Sequence, residues 1–240
     1  MANLLIEIGN TALKAAWAEG KTLGKTVRYQ GEKLHGFLLG TLLAKEKPDV
    51  LVLASIRDIP EEDIKDIEAR CGQLVLIDRA HPAILRAYGL PEYISPSRAA
   101  SIIAVRELFK GKPSLVFDFG TVLSIDSVAA DGTYLGGNLS LGCRTRFKAL
   151  NRYSRNLPLV NTPDSVPAAG TSETTSIEAG VVSGIVFEVD GYIAGAPGSV
   201  AVFTGGDANY FAAQTKNSIF VVSNLVLMGL AAISEDYDRK

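Results

Sequence analysis

Two short stretches of this 240-residue chain combine residue types suited to phosphate chemistry. One is Glu7-Ile8-Gly9-Asn10-Thr11; the other is Asp118-Phe119-Gly120-Thr121. Each sets a carboxylate two residues before a glycine and puts a threonine just beyond it. A glycine turn lets backbone N–H groups approach an anion closely, because no Cβ intervenes. Thr11 and Thr121 can donate hydrogen bonds to phosphate oxygens. Glu7 and Asp118 cannot bind phosphate themselves. They can hold the cation that neutralises it, or a water on that cation. A third turn, Gly205-Gly206-Asp207, follows an apolar run and is of the sort that accommodates a nucleotide. Any one of these turns, alone, reads more simply as a hairpin. Their repetition carries the reading.

The elements that must position the turns follow from hydrophobic pattern. A strand over Asn3 to Ile8, a tight turn and a strand over Ala12 to Trp17 predict a hairpin. Leu34, Phe37, Leu38 and Leu42 predict a helix within Tyr29 to Glu46. Val50 to Ser55 and Leu74 to Ile77 read as buried parallel strands flanking a charged helix, Pro60 to Cys71. Ala80 to Pro96 reads as irregular, followed by a helix from Ser97 to Phe109 with Ser97 as its N-cap. The linker Gly111-Lys112-Pro113 predicts a boundary, giving an N-terminal lobe of residues 1–112 and a C-terminal lobe of 113–240.

The second half restarts the first. Strands are expected at Ser114 to Phe119, Val122 to Val128 and Thr133 to Leu135, with a hairpin turn at Asp131-Gly132. Helices are expected at Phe147 to Asn156, Glu173 to Ile193, Ala208 to Thr215 and Leu225 to Ser234, with a buried strand at Val200 to Phe203. The runs LLIEIGNT from Leu4 and LVFDFGTV from Leu115 align as strand, acid, spacer, glycine and polar turn, 111 residues apart. That is an internal repeat of a fold unit, not a short-period solenoid.

Composition narrows the function classes. The chain is 47% hydrophobic and 21% charged, with a net charge of −2, so it buries an ordinary core and carries no nucleic-acid footprint. Cys71, Cys143, His35 and His81 match no metal or redox spacing. The first apolar run is interrupted by Glu7, and no stretch reaches the ~18 apolar residues of a membrane span. The expected location is the cytoplasm. No Gly-x-x-x-x-Gly-Lys-Ser/Thr motif occurs, which excludes a P-loop.

The paired turns with the Gly-Gly-Asp turn resemble the ATPase fold of actin, Hsp70 and the sugar kinases, an α/β fold of two duplicated ribonuclease-H-like lobes that clamp a nucleotide. Within that fold the chain resembles the type III pantothenate kinase family over nearly its whole length. The resemblance rests on Gly9-Asn10-Thr11, on Tyr88 with Ser97-Arg98 nine and ten residues later, and on Asp118 to Thr121. It continues through Tyr134-Leu135-Gly136-Gly137-Asn138, Leu157-Pro158, Gly170 to Gly180 and Gly205-Gly206-Asp207.

The resemblance implies ATP-dependent phosphorylation of pantothenate, the first step of coenzyme A synthesis. It implies a divalent cation such as magnesium, a monovalent cation (potassium or ammonium), and a homodimer. By motif position, Glu7, Ile8, Gly9, Asn10, Thr11, Ala12, Leu13 and Lys14 line the ATP phosphates, and Thr121 contacts ATP. Asp118 holds the monovalent cation and Glu7 the magnesium. Tyr88, Ser95, Pro96, Ser97 and Arg98 hold pantothenate, with Thr174 contributing across the dimer interface. Arg98 in the first turn of a helix opposes the helix dipole, so an anionic partner such as the pantothenate carboxylate suits it.

Two departures stand out. The family has Asp where Glu7 stands; the extra methylene carries the carboxylate about 1.5 Å further. The family also has Gly-x-Asp-Arg where this chain has Ser95-Pro96-Ser97-Arg98. That Asp is the family's base, and a serine hydroxyl is not a useful base near neutral pH. Losing a positioned base costs ~10²–10⁴-fold in rate. The two readings are a slowed kinase and a catalytically silent relative that binds nucleotide or pantothenate as a regulator. Glu92, five residues before Ser97, is the nearest upstream carboxylate that could substitute.

Overall fold

The apolar run after the N-terminus becomes β1 (Asn3–Ile8), buried at every position, in a computed structural model that describes residues 2–31, 33–44 and 46–238. β2 (Leu13–Glu19) returns antiparallel to it, with β3 (Thr22–Leu23) and β4 (Val27–Tyr29) both paired to β2. β5 (Val50–Ser55) and β6 (Gln73–Ile77) extend the sheet in parallel on the other side, giving the order β3-β2-β1-β5-β6. β1 from Leu4 to Ile6 and β5 from Val50 to Ala54 are apolar runs because both faces of the sheet are covered. One face packs Leu4, Ile6, Leu51 and Leu53 against Leu38, Leu42 and Ile67. The other receives α4 (Pro96–Leu108) and α8 (Leu225–Asp238).

Compactness divides the chain into Met1–Leu108 with Asn224–Lys240, and Phe109–Ser223. The expected C-terminal lobe of residues 113–240 thus differs at its end: α8 packs on β1, β5 and α4 of the first unit. Gly229 makes this packing close. A Cβ there would lie 1.9 Å from the Ala100 carbonyl oxygen. The helix also outlasts Ser234, since Lys21 Nζ lies 3.7 Å from Glu235 and Asn3 Nδ2 donates to Asp238 at 2.6 Å.

The helix expected over 29–46 is shorter. Tyr29 ends β4, and α1 (Leu34–Phe37) runs into a wider π-turn at Leu38–Leu42. Strand pairing of Val27 to Tyr29 with β2 wins over helix extension, and Tyr29 stacks on Phe37 at 4.2 Å between ring centroids. Glu32 and Lys45, inside the expected helix, lie outside the described residues. α2 (Glu61–Glu68) follows β5, and the stretch expected to be irregular contains a short α3 (Ala83–Ala87).

The second unit repeats the strand plan. β7 (Ser114–Phe119), β8 (Val122–Val128) and β9 (Tyr134–Leu141) form an antiparallel meander, and β10 (Val200–Gly205) and β11 (Ile219–Val221) add in parallel, giving β11-β10-β7-β8-β9. β9 runs through Gly136 and Gly137, past the expected end, because a register shift opposite Ser127 and Val128 lets pairing resume. α5 (Cys143–Tyr153), α6 (Glu173–Gly195) and α7 (Ala208–Ala212) cover its sheet. α5 starts four residues before the expected Phe147. Phe117, Phe119, Phe203 and Phe211 form the centre of this core. Phe119 stacks on Phe211 at 5.0 Å and meets Phe203 at 4.8 Å. No described helix is long and apolar enough to cross a membrane.

Gly229→Ala forces its methyl against the Ala100 carbonyl. We expect a loss of ~1–3 kcal/mol, read as a lower urea midpoint at unchanged slope. Gly191→Ala, also helical but with open space around it, is expected to gain up to ~1 kcal/mol.

Candidate active site

In the first unit, β1 and β2 bring Glu7 and Lys14 opposite each other and leave Gly9 to Ala12 as the turn. Gly9 N–H donates to Ala12 O at 3.0 Å and closes it. Ile8 and Leu13 flank the turn with buried side chains in the core, so only their backbone faces the site. Asn10 and Thr11 are exposed. Glu7 is 8% exposed. Lys14 Nζ lies 3.9 Å from its Oε2, within ion-pair range but beyond a hydrogen bond. That buried oxygen has no hydrogen-bond partner within the protein. A buried carboxylate oxygen left so is costly and fits a missing donor, such as water on a bound cation.

Arg57, which carries no motif, also reaches this turn. Its Nε donates to Gly9 O at 2.9 Å and its Nη2 to Asn10 O at 2.6 Å.

The expected pantothenate residues flank α4. Ser95 Oγ accepts from Arg98 N–H at 3.4 Å, and Ser95 O accepts from Ala99 N–H. Ser95 therefore caps the helix, and Pro96 takes the first position, where its missing N–H costs nothing. The expected cap, Ser97, lies instead within the first turn and is half-buried. Arg98 is buried. Tyr88 donates its hydroxyl to Asp236 Oδ2 at 2.6 Å, and its carbonyl accepts from Arg106 Nη1 at 2.7 Å. Burial first, and then Asp236, push the Tyr88 phenol above its ordinary range. Arg106 is eight residues beyond Arg98, about 12 Å of helix rise, so the Tyr88 backbone is anchored from the far half of α4. No sequence signal marks Asp236, because it lies 148 residues from its partner. Glu92 is exposed and ion-paired with Arg86.

In the second unit, Asp118 sits in register with Ser124 and Thr204. Gly205 has φ +95, and a Cβ there would stand 2.4 Å from Asp118 Oδ1 and 2.6 Å from Phe119 O. Only glycine leaves that carboxylate its place. The carbonyl of Thr121 accepts from Gly142 N–H at 3.1 Å and from Thr145 Oγ1 at 2.7 Å. The Phe119 carbonyl accepts from Asp207 N–H at 3.2 Å. Thr121 itself is exposed. Burial raises the Asp207 carboxyl above its ordinary value, and Arg144 partly opposes that.

On α6, Ser172 is the N-cap and exchanges bonds with Thr175, which leaves Thr174 exposed and outside the cap. Among the described residues, no group of three or more His, Cys, Asp or Glu is arranged to hold a metal. Any cation here would rest on single carboxylates with other donors. The two histidines are engaged elsewhere: His81 pairs with Asp78, and His35 lies between Asp63 and Asp66.

Comparison with known proteins fits this geometry. A family model described as type III pantothenate kinase matches residues 3–195. A type III pantothenate kinase of Porphyromonas gingivalis strain W83 is 32% identical, covering 97% of this chain and 98% of that protein. One of Phocaeicola vulgatus is 33% identical, with 99% of each covered. Among solved structures, an activator of 2-hydroxyisocaproyl-CoA dehydratase from Clostridium difficile, with bound ADPNP, superposes with a TM-score of 0.60 at 13% identity, over 100% of this chain and 96% of that one. A ROK hexokinase from Thermus thermophilus gives a TM-score of 0.55 at 14% identity, over 100% of each chain. The fold is that of the actin, Hsp70 and sugar-kinase ATPases, and the strand order repeated in each unit agrees with it.

The Asp207 carboxyl generates a pH prediction. Its folded pKa is raised, so the native state holds this proton more tightly than the unfolded chain. Stability from this group is present below the ordinary carboxylate pKa and is lost as pH rises through the raised value. We expect Asp207→Asn to melt above wild type at neutral pH, and the difference to vanish in acid below the usual carboxylate range. Thermal melts across pH check it.

Proposed function

The chain belongs to the type III pantothenate kinase family, and on that premise we propose how its residues carry the ATP-dependent phosphorylation of pantothenate in coenzyme A biosynthesis. The carrying observation is the hairpin turn Gly9–Ala12 beside a buried Glu7 oxygen that has no hydrogen-bond partner. The turn and Lys14 take the ATP phosphates, the backbones of Ile8 and Leu13 frame it, and Thr121 donates to ATP. Glu7 would hold the magnesium. A bound divalent cation supplies neutralisation of charge on the phosphate oxygens. Asp118, over the bare face of Gly205, holds potassium or ammonium. Tyr88, Ser95, Pro96, Ser97 and Arg98 hold pantothenate, with the Arg98 guanidinium on its carboxylate.

Phosphoryl transfer relies mainly on positioning and charge stabilisation, so a chain with Ser97 in place of an aspartate keeps part of its rate. A second reading, a silent relative that binds nucleotide or pantothenate as a regulator, is favoured by the Glu92–Arg86 ion pair, which occupies the nearest upstream carboxylate. Two buried free cysteines, Cys71 and Cys143, suit a reducing cytoplasm.

The homodimer has its own support in the second unit. Leu135, Leu139 and Leu141 on β9 are each at least 47% exposed. Leu141 also lines an apolar groove of about 810 Å³ between α5 and α6, with Leu150, Tyr153 and Ile177. Glu173 and Ser176 also line it, so Thr174 lies on the helical turn at its edge. Phe187 on α6 is 73% exposed. A patch of this kind supports the reading of this face as the contact between two copies.

Two measurements test these assignments. In a coupled assay with ATP, magnesium, potassium and pantothenate, the wild-type chain turns over and Ser97→Asp raises kcat, by up to ~10²–10⁴-fold. Activity in Ser97→Asp alone selects the silent-relative reading; activity in neither defeats the kinase assignment for this chain. In sedimentation, wild type runs as a dimer and Phe187→Asp with Leu150→Asp as a monomer with a raised KM for pantothenate. A wild-type monomer at all concentrations rejects the dimer.

A further inference from the structure

We propose that Arg57 is a positioning residue that aims the amides of the Gly9–Ala12 turn at phosphate. The inference rests on the reading of that turn as the ATP-phosphate site. β5 ends opposite Ile8, and one further bond, Ile56 N–H to Ile8 O at 3.1 Å, carries the pairing just past the strand. Ser55 then fixes the next residue from both sides. Its Oγ accepts from Arg57 N–H at 3.1 Å and donates to Arg57 O at 2.7 Å. Held this way, the guanidinium lies against the turn and donates to the carbonyls of Gly9 and Asn10 at 2.9 and 2.6 Å.

The consequence follows from peptide planarity. In a trans amide the C=O and N–H point in opposite directions, and no described peptide bond is cis. Drawing the Gly9 carbonyl towards Arg57 turns the Asn10 N–H the other way. Drawing the Asn10 carbonyl does the same for the Thr11 N–H. Two successive amides are thereby set on the side opposite the guanidinium, which is the arrangement of an anion-binding nest. Arg57 also binds the two carbonyl oxygens whose partial negative charge would otherwise be free to swing towards an anion. The planar fork suits this role because its donors are fixed relative to one another, whereas a lysine ammonium is a single point charge. Ordering the turn before ATP arrives removes part of the entropy that binding would otherwise lose.

Equilibrium titration of Mg–ATP separates this role from a plain structural staple and needs no turnover. Wild type, Arg57→Lys and Arg57→Gln are compared for ATP affinity, pantothenate affinity and thermal midpoint. For Arg57→Gln we expect ATP affinity to fall about tenfold or more, with pantothenate affinity within about twofold of wild type. Arg57→Lys, which keeps the charge without the fork, is expected between the two. Wild type that binds no ATP overturns the phosphate-turn reading itself. Wild type that binds, with Arg57→Gln equal to it, overturns the role of Arg57 alone. Equal losses for both ligands with a lowered midpoint make Arg57 a staple and also overturn it.

Discussion

The glycine turns of both units are held from outside, by their carbonyl oxygens. In the first unit the guanidinium of Arg57 takes the carbonyls of Gly9 and Asn10. In the second, Gly142 N–H and the Thr145 hydroxyl take that of Thr121, and Asp207 N–H takes that of Phe119. A rigid peptide plane converts each bond into an orientation for the amide on its other side. The donors differ in kind: a side chain after β5 in one unit, a helix start and a third glycine turn in the other. The constraint is the same, and the strand order that brings each donor to its turn is the same in both units.

Such an arrangement needs backbone to come very close to backbone. Gly142 lies so near the second turn that a Cβ would stand 1.9 Å from Gly120 O. Gly205 does likewise against Asp118 and Phe119, with a backbone angle that glycine alone adopts cheaply. Neither glycine has a side chain to interpose. They permit α5 and β10 to approach, and with them the groups that hold the turn and its carboxylate.

How much of this was legible in the sequence depends on whether a feature is local. The repeat was legible, because an acid, a glycine and a threonine after an apolar run recur at matching points of the two halves. The buried strands were legible as apolar runs. The cap of α4 lies two residues before the expected Ser97, since Ser95 and Ser97 carry the same hydroxyl and only Pro96 between them tells which starts the helix. The placement of α8 was not legible: an apolar helix at the end of a chain names no partner, and Gly229 shows its purpose only beside Ala100. Arg57 could not be found by any motif. It acts on main-chain carbonyls 47 and 48 residues away, and a carbonyl leaves no mark in the sequence.

The last helix ties the expected pantothenate side of the first unit to the strand that carries Glu7. Asp238 accepts from Asn3 at the start of β1, and the Asn3 side-chain oxygen accepts from Val50 N–H at the start of β5. Two residues earlier, Asp236 holds the Tyr88 hydroxyl. Glu235, the residue before it, pairs with Lys21, which also meets Glu107 near the end of α4. Three polar contacts therefore fix β1, α4 and the Tyr88 loop to one helical end. Around Glu7 and Ser97, where the resemblance implies aspartates, the frame is over-determined. Rate in phosphoryl transfer comes mostly from such positioning. Glu7 and Ser97 are thus two points of a scaffold whose geometry is held by other residues.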